Sequence, residues 1–219
     1  MPFSAPRRLC GFVALAVWHA AALAGAQQYE PLAASVRAAL HSAVADRASP
    51  RLVFATPDEA YQWLDEMSIR LARLVPDQQT RLDLLTTVQY EAKRAGLDPQ
   101  LVLGVMDVES RFRKYAVSRA GARGYMQVMP FWADLIGTRE HNLFNLRTNL
   151  RYGCIILRHY LDIERGDTTR ALARYNGSLG RRNGYPEKVL RAWQAHWAWP
   201  AAGVRQAARQ TTYYAGESN

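Results

Sequence analysis

Helix start signals recur along this chain, and they constrain its fold more than any other feature of the sequence. Thr56 precedes Pro57, with Glu59 at the spacing of a capping box, and Asp98 precedes Pro99. An N-cap oxygen satisfies amide groups that a helix leaves open, and proline fits the first helical position. No run shows the sustained alternation of apolar and polar residues that a half-buried strand requires. The chain is therefore predicted to be all-α or mostly α.

The predicted helices form one globular domain with a modest extension, which suits a chain of 219 residues. Helix ends are placed where glycine, proline or a loss of apolar periodicity follows. By these signals the helices cover roughly 31–44, 56–75, 77–96, 99–112, 145–163, 167–175 and 185–199. We predict a helical extension over 27–75, the globular domain over 76–200 and a flexible tail over 201–219.

The first residues have the pattern of a secretory signal. Two arginines precede an apolar run over 9–23, and a small-x-small cleavage site ends at Ala26. The apolar run is roughly 15 residues long, short of the roughly 20 that span a bilayer. We predict a signal peptide over 1–26 and an exported, periplasmic protein that begins near Gln27. Retention of the segment as an anchor is the alternative.

The net charge of +9 favours an acidic polymer or surface as the partner. Lysine and arginine are scattered, and no zinc-finger or RNP pattern occurs, so nucleic acid is not expected. The histidines lack the spacing of metal ligands, and we expect no metal and no cofactor. Cys10 would leave with the signal, which leaves Cys154 alone at helical spacing with leucines, as a buried packing residue. We expect a monomer.

Glu109 is the strongest candidate for chemistry. It lies four residues after Val105 and three before Phe112, and so belongs to the apolar stripe of its predicted helix. Asp107 lies about 200° round the helix, where it is predicted to be exposed and to pair with Arg111. A carboxyl group in an apolar setting loses hydration, which raises its pKa. Glu109 is therefore predicted to be a proton donor.

A series of ordered blocks around and after Glu109 resembles the signature of the soluble lytic transglycosylase (SLT) domain, which is similar to goose-type lysozyme. The blocks are Glu109-Ser110, Phe112, Ala116, Ser118, Gly121-Ala122, Gly124, Met126-Gln127, Met129-Pro130, Asn149, Gly153, Ala173 and Tyr175-Asn176-Gly177. The resemblance covers roughly 77–197 and implies a lysozyme-like fold. It departs from the usual pattern at Tyr125, where leucine is common, and at Asn176-Gly177-Ser178, where Asn-Ala-Gly is common.

The resemblance implies cleavage of the β-1,4 bond between N-acetylmuramic acid and N-acetylglucosamine in peptidoglycan, with formation of a 1,6-anhydro end. Glu109 would act alone, first as acid and then as base. No second acidic residue lies on the Glu109 face within the matched blocks. Asp134 and Glu140 are the nearest downstream carboxylates, and neither is favoured. The alternatives are a hydrolytic muramidase and a non-catalytic glycan-binding or assembly protein.

The resemblance also implies roles for residues around Glu109. Ser118 and Gln127 would hydrogen-bond sugar substituents, and Gly124 would let the backbone approach the glycan strand. Met126 and Met129 would line the groove, although core packing is an equal alternative for both. Across the cleft, Tyr175 would orient the Glu109 carboxyl group and Asn176 would hold its loop. The expected partner is the peptidoglycan glycan strand, and membership of a secretion or division complex is left open.

Overall fold

The computed structural model describes residues 27–45 and 47–199, so the predicted signal peptide and flexible tail lie outside it. The described residues form eight α-helices and one π-helical turn. In chain order they are α1 (Ala34–Val44), α2 (Pro57–Leu71), α3 (Gln78–Arg94), α4 (Pro99–Ser110), α5 (Phe131–Ile136), α6 (Leu146–Ile163), α7 (Thr168–Tyr175), α8 (Tyr185–Ala192) and the π-helical turn (Trp193–Trp197). Over these residues no β-strand is present, which confirms the all-α prediction. None of these helices is long and apolar enough to cross a bilayer.

The predicted start signals act as caps. The Thr56 hydroxyl accepts a hydrogen bond from the Glu59 amide at 3.2 Å, and Asp77 accepts one from the Thr80 amide at 2.7 Å. Asp98 caps α4 in the same way, through the Gln100 amide. Each of these side chains satisfies an amide that the first helical turn leaves open. Local sequence therefore determines where these helices begin.

Two predicted helix ends are wrong, and one helix was missed. α4 ends at Ser110, because Arg111 and Phe112 both adopt left-handed backbone angles, with φ of 52° and 58°. α2 ends at Leu71, before the predicted end near 75. α5 has only six residues, too few to show helical periodicity in the sequence.

α4 lies at the centre of the core. Val102, Leu103 and Val105 on this helix are fully buried, and it packs against α3, α8 and the π-helical turn. Gly104 permits the last of these contacts, because an added Cβ atom would lie 3.1 Å from the backbone nitrogen of Trp193. Among the described helices, Glu109 is thus carried by the one with the largest share of buried residues.

The extension that precedes the globular domain shares its core. Trp63, Met67 and Leu71 on α2 are fully buried and belong to the same apolar cluster as α4. Their side chains are removed from water by α3 and the π-helical turn, which α2 contacts. Hydrophobic burial therefore stabilises the extension and the domain together.

A buried carboxylate holds α1 against the domain through arginines. Glu91 on α3 is buried and accepts a hydrogen bond from Arg151 Nη2 at 2.9 Å. Arg151 Nη1 donates to the carbonyl of Val44, and Arg94 Nη2 donates to that of Ala43. These carbonyls lie at the C-terminal end of α1, where helix geometry leaves them without intrahelical partners.

The first described residues cross the surface near the signature loop, which is the loop of residues 111–130 that follows α4. The buried Gln27 side chain donates a hydrogen bond to the Gln127 carbonyl at 3.0 Å and accepts one from the Met129 amide at 2.9 Å. Glu30 forms an ion pair with Arg174 on α7 at 2.8 Å. The segment 27–30 is therefore bonded to both the signature loop and α7.

Candidate active site

Glu109 lies in the last turn of α4 with only 4% of its surface exposed. Its Oε1 atom accepts a hydrogen bond from the Tyr185 hydroxyl at 2.7 Å. Burial raises the pKa of Glu109 to about 8, and the bond from Tyr185 offsets part of that increase. The carboxyl group is therefore mainly protonated at neutral pH, as the apolar stripe predicted.

The second carboxyl oxygen of Glu109 has no partner. Oε2 is buried and makes no hydrogen bond with any part of the chain that the structure describes. Leaving a buried polar atom unsatisfied costs about 1–3 kcal/mol, and such atoms concentrate at functional sites. Oε2 is thus free to exchange a proton with a ligand.

Tyr185, which the sequence did not single out as a site residue, is the residue that contacts the Glu109 carboxyl group. It begins α8 directly after Gly184, whose φ of 69° is left-handed, and its amide donates to Asn183 Oδ1 at 3.0 Å. Burial and the neighbouring carboxylate of Glu109 raise the pKa of Tyr185 well above its ordinary value, so its hydroxyl remains a donor. In the sequence, Tyr185 is recognisable only as the start of a helix. Its contact with Glu109 exists because α4 packs on α8, which joins segments that are far apart in the sequence.

Tyr175 does not make the contact predicted for it. Its buried hydroxyl donates to the Met126 carbonyl at 2.7 Å, and Tyr185 orients Glu109 instead. Tyr175 is nevertheless near the site, because the charge of Glu109 contributes, after burial, to raising the Tyr175 pKa. Tyr175 therefore supports the signature loop through its bond to the Met126 carbonyl.

The signature loop, residues 111–130, begins at a fixed point beside Glu109. The Ser110 hydroxyl donates to the Tyr125 carbonyl at 2.7 Å, which holds the loop against the end of α4. Farther along, the half-buried Ser118 closes a tight turn by accepting a hydrogen bond from the Ala122 amide at 3.0 Å. The Ser118 hydroxyl thus already has one partner within the loop, and it retains donor capacity.

Gly124 is required by contacts within the protein. Its φ is 75°, and an added Cβ atom would lie 2.4 Å from Asn149 Nδ2 and 2.6 Å from the Leu143 carbonyl. Asn149 in turn accepts a hydrogen bond from the Met126 amide at 2.8 Å. The space beside Gly124 is therefore filled by protein rather than open to a glycan.

Met126 and Gln127 also point inward. Met126 is fully buried, and its sulfur occupies the space beside Gly153. Gln127 is buried and donates from Nε2 to the carbonyls of Ala116 and Gly124, at 3.1 and 2.8 Å. These side chains determine the shape of the loop, whereas Met129 is only half-buried.

Asn176 is buried at the start of the loop that joins α7 to α8. Its Oδ1 atom accepts a hydrogen bond from Asn183 Nδ2 at 2.7 Å, which ties the two ends of the loop together. Its Nδ2 atom has no partner among the described residues. Asn183, the partner of Asn176, also borders the cavity beside Glu109.

Asp107 is buried, and its predicted exposure is wrong. Only 4% of its surface is accessible, because the π-helical turn folds back over this side of α4. Its Oδ2 atom accepts a hydrogen bond from Trp197 Nε1 at 3.2 Å, and its Oδ1 atom pairs with Arg111 at 2.9 Å. The predicted pair with Arg111 is confirmed.

A cavity of about 390 Å³ lies beside Glu109, between α4 and α8. Its lining consists of Asp107, Val108, Glu109, Arg111, Asn183, Tyr185, Lys188, Arg191, Ala192 and His196. The cavity therefore combines a buried proton donor with several basic side chains. Asp134 and Glu140 do not line it, and both are exposed.

Comparison with known proteins relates this site to enzymes of the bacterial cell wall and of a phage. The model of the family described as "Transglycosylase SLT domain" matches residues 86–193, which include Glu109, Tyr175 and Tyr185. The "Transglycosylase" of Enterobacteria phage PRD1 is 34% identical over 111 residues, 48% of this chain and 41% of the phage protein.

Two bacterial relatives carry the name "Membrane-bound lytic murein transglycosylase C". The protein of Histophilus somni (strain 2336) is 34% identical over 112 residues, 44% of this chain and 31% of the relative. That of Actinobacillus pleuropneumoniae serotype 5b (strain L20) is 56% identical over 46 residues, 21% of this chain and 13% of the relative. The chain thus spans less than half the length of these relatives.

Proposed function

Because residues 86–193 of this chain belong to the transglycosylase SLT domain family, we propose that the protein is a lytic transglycosylase of peptidoglycan. It cleaves the β-1,4 bond between N-acetylmuramic acid and N-acetylglucosamine and leaves a 1,6-anhydromuramoyl end. The observation that carries the proposal is the state of Glu109: buried, mainly protonated at neutral pH, and with one carboxyl oxygen unpartnered beside a cavity.

In the first step Glu109 acts as the acid. Its proton passes to the glycosidic oxygen as the bond from that oxygen to C1 of the muramoyl residue breaks. Glu109 then carries a negative charge in a buried site, which is unfavourable without a donor. The Tyr185 hydroxyl supplies that donor at 2.7 Å, and hydrogen bonds to ionised groups are stronger than neutral ones.

In the second step the Glu109 carboxylate acts as the base. It removes the proton from the C6 hydroxyl group of the same muramoyl residue while that oxygen bonds to C1. The bond to the leaving oxygen is replaced by the bond from O6, and Glu109 regains its proton. No water is consumed, so the reaction needs no further protein nucleophile.

The surroundings of Asp107 support a single-acid mechanism. Glycosidases that use two carboxylates place them roughly 5–10 Å apart, with the second free to act as nucleophile or base. Asp107 is the other acidic residue that lines the cavity, but each of its oxygens already accepts a hydrogen bond, from Arg111 or Trp197. It is held as a structural anion.

The presence of Asp107 in the cavity also defines the second candidate, a hydrolytic muramidase. Digestion of purified sacculi followed by mass spectrometry separates the two functions, because anhydro ends are lighter than reducing ends by one water. We expect anhydro ends from the wild-type protein and none from Glu109→Gln. Reducing ends that disappear in Asp107→Asn would establish the hydrolase instead. A Glu109→Gln variant that still lyses sacculi would overturn the assignment of Glu109 as the catalytic acid.

We further propose that the protein acts in the cell envelope. The predicted signal peptide supports export, and the peptidoglycan substrate lies outside the cytoplasm. Osmotic-shock fractionation of cells that express the full chain tests this location. Recovery in the periplasmic fraction is expected for a cleaved signal, whereas recovery with the membranes indicates a retained anchor.

A further inference from the structure

The cavity beside Glu109 carries more positive charge than its acids can balance. Lys188 and Arg191 follow Tyr185 by three and six residues on α8, which brings both side chains to the cavity. Both are exposed, and neither side-chain head has a hydrogen-bond or ion-pair partner in the part of the chain that the structure describes.

The acidic groups of the cavity leave these two charges uncompensated. Asp107 is paired with Arg111 at 2.9 Å, and His196 Nδ1 lies 3.5 Å from its Oδ2 atom. Glu109 is mainly neutral because burial raises its pKa. Lys188 and Arg191 therefore make the cavity attractive to an anion.

The sugar chain itself does not require this charge. N-acetylated hexosamine units are neutral, and the glycosidic bond that Glu109 attacks carries no charge. In peptidoglycan the anionic groups are carboxylates: those of the peptide stem where a stem is attached to the lactyl substituent, and that of the lactyl substituent itself where no stem is attached. Arginine and lysine bind carboxylates by charge-assisted hydrogen bonds.

We propose that Lys188 and Arg191 bind carboxylates displayed from the lactyl substituent of the muramoyl residue, so that the enzyme selects glycan strands by their anionic side groups. The inference rests on the proposed function and specifies its substrate. Two sources share this chemistry: the carboxylates of the peptide stem, and the lactyl carboxylate that becomes free when the stem is removed.

The test compares wild type with the double variant Lys188→Ala/Arg191→Ala on three substrates. These are intact sacculi, sacculi whose carboxylates are amidated with carbodiimide and excess methylamine, and strands stripped of stems by an amidase. The matched control, Arg37→Ala/Arg73→Ala, removes the same charge from exposed arginines outside the cavity lining. The readout is the apparent KM and kcat for release of anhydro ends.

We expect the double variant to raise the apparent KM on intact sacculi by roughly three- to tenfold, as two solvent-exposed ion pairs predict, with kcat little changed. Amidation should raise the wild-type KM similarly and remove the difference between the two proteins. A difference on intact sacculi assigns the stem carboxylates as ligands, because the lactyl carboxyl group is amide-linked there. If the difference persists on stem-free strands, the freed lactyl carboxylate binds as well, and if it vanishes there, only the stem carboxylates bind.

Two results would overturn the inference. One is a double variant that matches wild type and control on intact sacculi, and the other is an effect that survives amidation. Neither result affects the proposed function, which fails on a different observation. That observation is a wild-type protein that releases no anhydro ends from any of the three substrates.

Discussion

The Tyr185 hydroxyl lies 2.7 Å from Oε1 of Glu109, across 76 positions of sequence. Glu109 lies in the last turn of α4 and Tyr185 begins α8, so the packing of these two helices determines the geometry of the proton donor. The bond stabilises the ionised form of Glu109 against the much larger effect of burial. Tyr185 therefore adjusts the acid rather than creating it.

We expect Tyr185→Phe to lower kcat by roughly ten- to a hundredfold, because a hydrogen bond to an ionised group contributes about 1.5–3 kcal/mol. The pKa of Glu109 should rise above its wild-type value of about 8, since the bond that lowers it is gone. In the proposed mechanism activity requires protonated Glu109, so the alkaline limb of the pH–rate profile should move to higher pH even as the maximum rate falls. Release of anhydro ends from sacculi across pH measures both effects.

Tyr175→Phe is the matched control for that variant. It also removes one buried hydroxyl, but the lost bond is to the Met126 carbonyl. We expect the free energy of unfolding to fall by about 1–3 kcal/mol, because the Met126 carbonyl is left without its donor. The alkaline limb of the pH–rate profile should not move. An alkaline limb that moves equally in both variants would contradict the assignment of the orienting contact to Tyr185.

Glu109 should also make the stability of the protein depend on pH. Its pKa is about 8 in the folded protein and near 4.5 without the effect of burial. Between these values the folded state holds one more proton than the unfolded state. Stability should therefore decrease as pH rises through this window, by about 1.4 kcal/mol per pH unit from this group.

Glu109→Gln removes this dependence, which isolates it from the other titrating groups. Urea unfolding at about pH 5 and about pH 8 should show the variant gaining stability relative to wild type at the higher pH. Buried Glu109 retains its proton at the lower pH, so the two proteins should differ less there. A difference that is the same at both pH values would mean that Glu109 is not desolvated in solution.

Gly124→Ala should destabilise the protein far more than Gly121→Ala. Both glycines have left-handed φ, 75° and 88°, which costs an alanine about 1–2 kcal/mol. A Cβ atom at Gly124 would also overlap Asn149, whereas nothing lies within 4 Å of one at Gly121. We expect an additional loss of about 1–3 kcal/mol for Gly124→Ala from this overlap, measured by chemical unfolding. Equal losses would show that the loop relaxes around Gly124.

Gln27→Ala should loosen the signature loop. The substitution leaves the Gln127 carbonyl and the Met129 amide without their partners, at an expected cost of about 1–3 kcal/mol. Hydrogen exchange at the Met129 amide should accelerate. In the control Gln28→Ala, only a long, exposed bond to the Gly177 carbonyl is lost, and stability should change by less than about 0.5 kcal/mol. Unchanged exchange at Met129 in Gln27→Ala would show that the Gln27 bonds do not hold the loop.

The parts of the fold that local chemistry specifies could be predicted from the sequence. Caps at Thr56 and Asp98 act within three residues of themselves, so the sequence alone indicates where α2 and α4 begin. The apolar stripe that buries Glu109 is likewise a property of one helix. Helix ends were predicted less well. α4 ends where Arg111 and Phe112 adopt left-handed backbone angles, and no glycine at these positions indicates such angles in the sequence.

The contacts that join distant segments could not be predicted in this way. Tyr185 reaches Glu109, and Trp197 covers Asp107, only because α8 and the π-helical turn pack against α4. The resemblance to the SLT signature indicated which residues matter near the site. It did not distinguish side chains that face the cavity from those, such as Gln127, that hold the loop from inside.

The burial of α2 limits how far this protein can be truncated. A fragment limited to the family-matched residues 86–193 would lack Trp63, Met67 and Leu71 and most of the π-helical turn, and the surface of α3 that these residues cover would face water. Exposed apolar patches of that kind favour aggregation. The smallest piece that folds by itself is therefore expected to be longer than the piece that sequence similarity delimits, and truncation should be planned from the core.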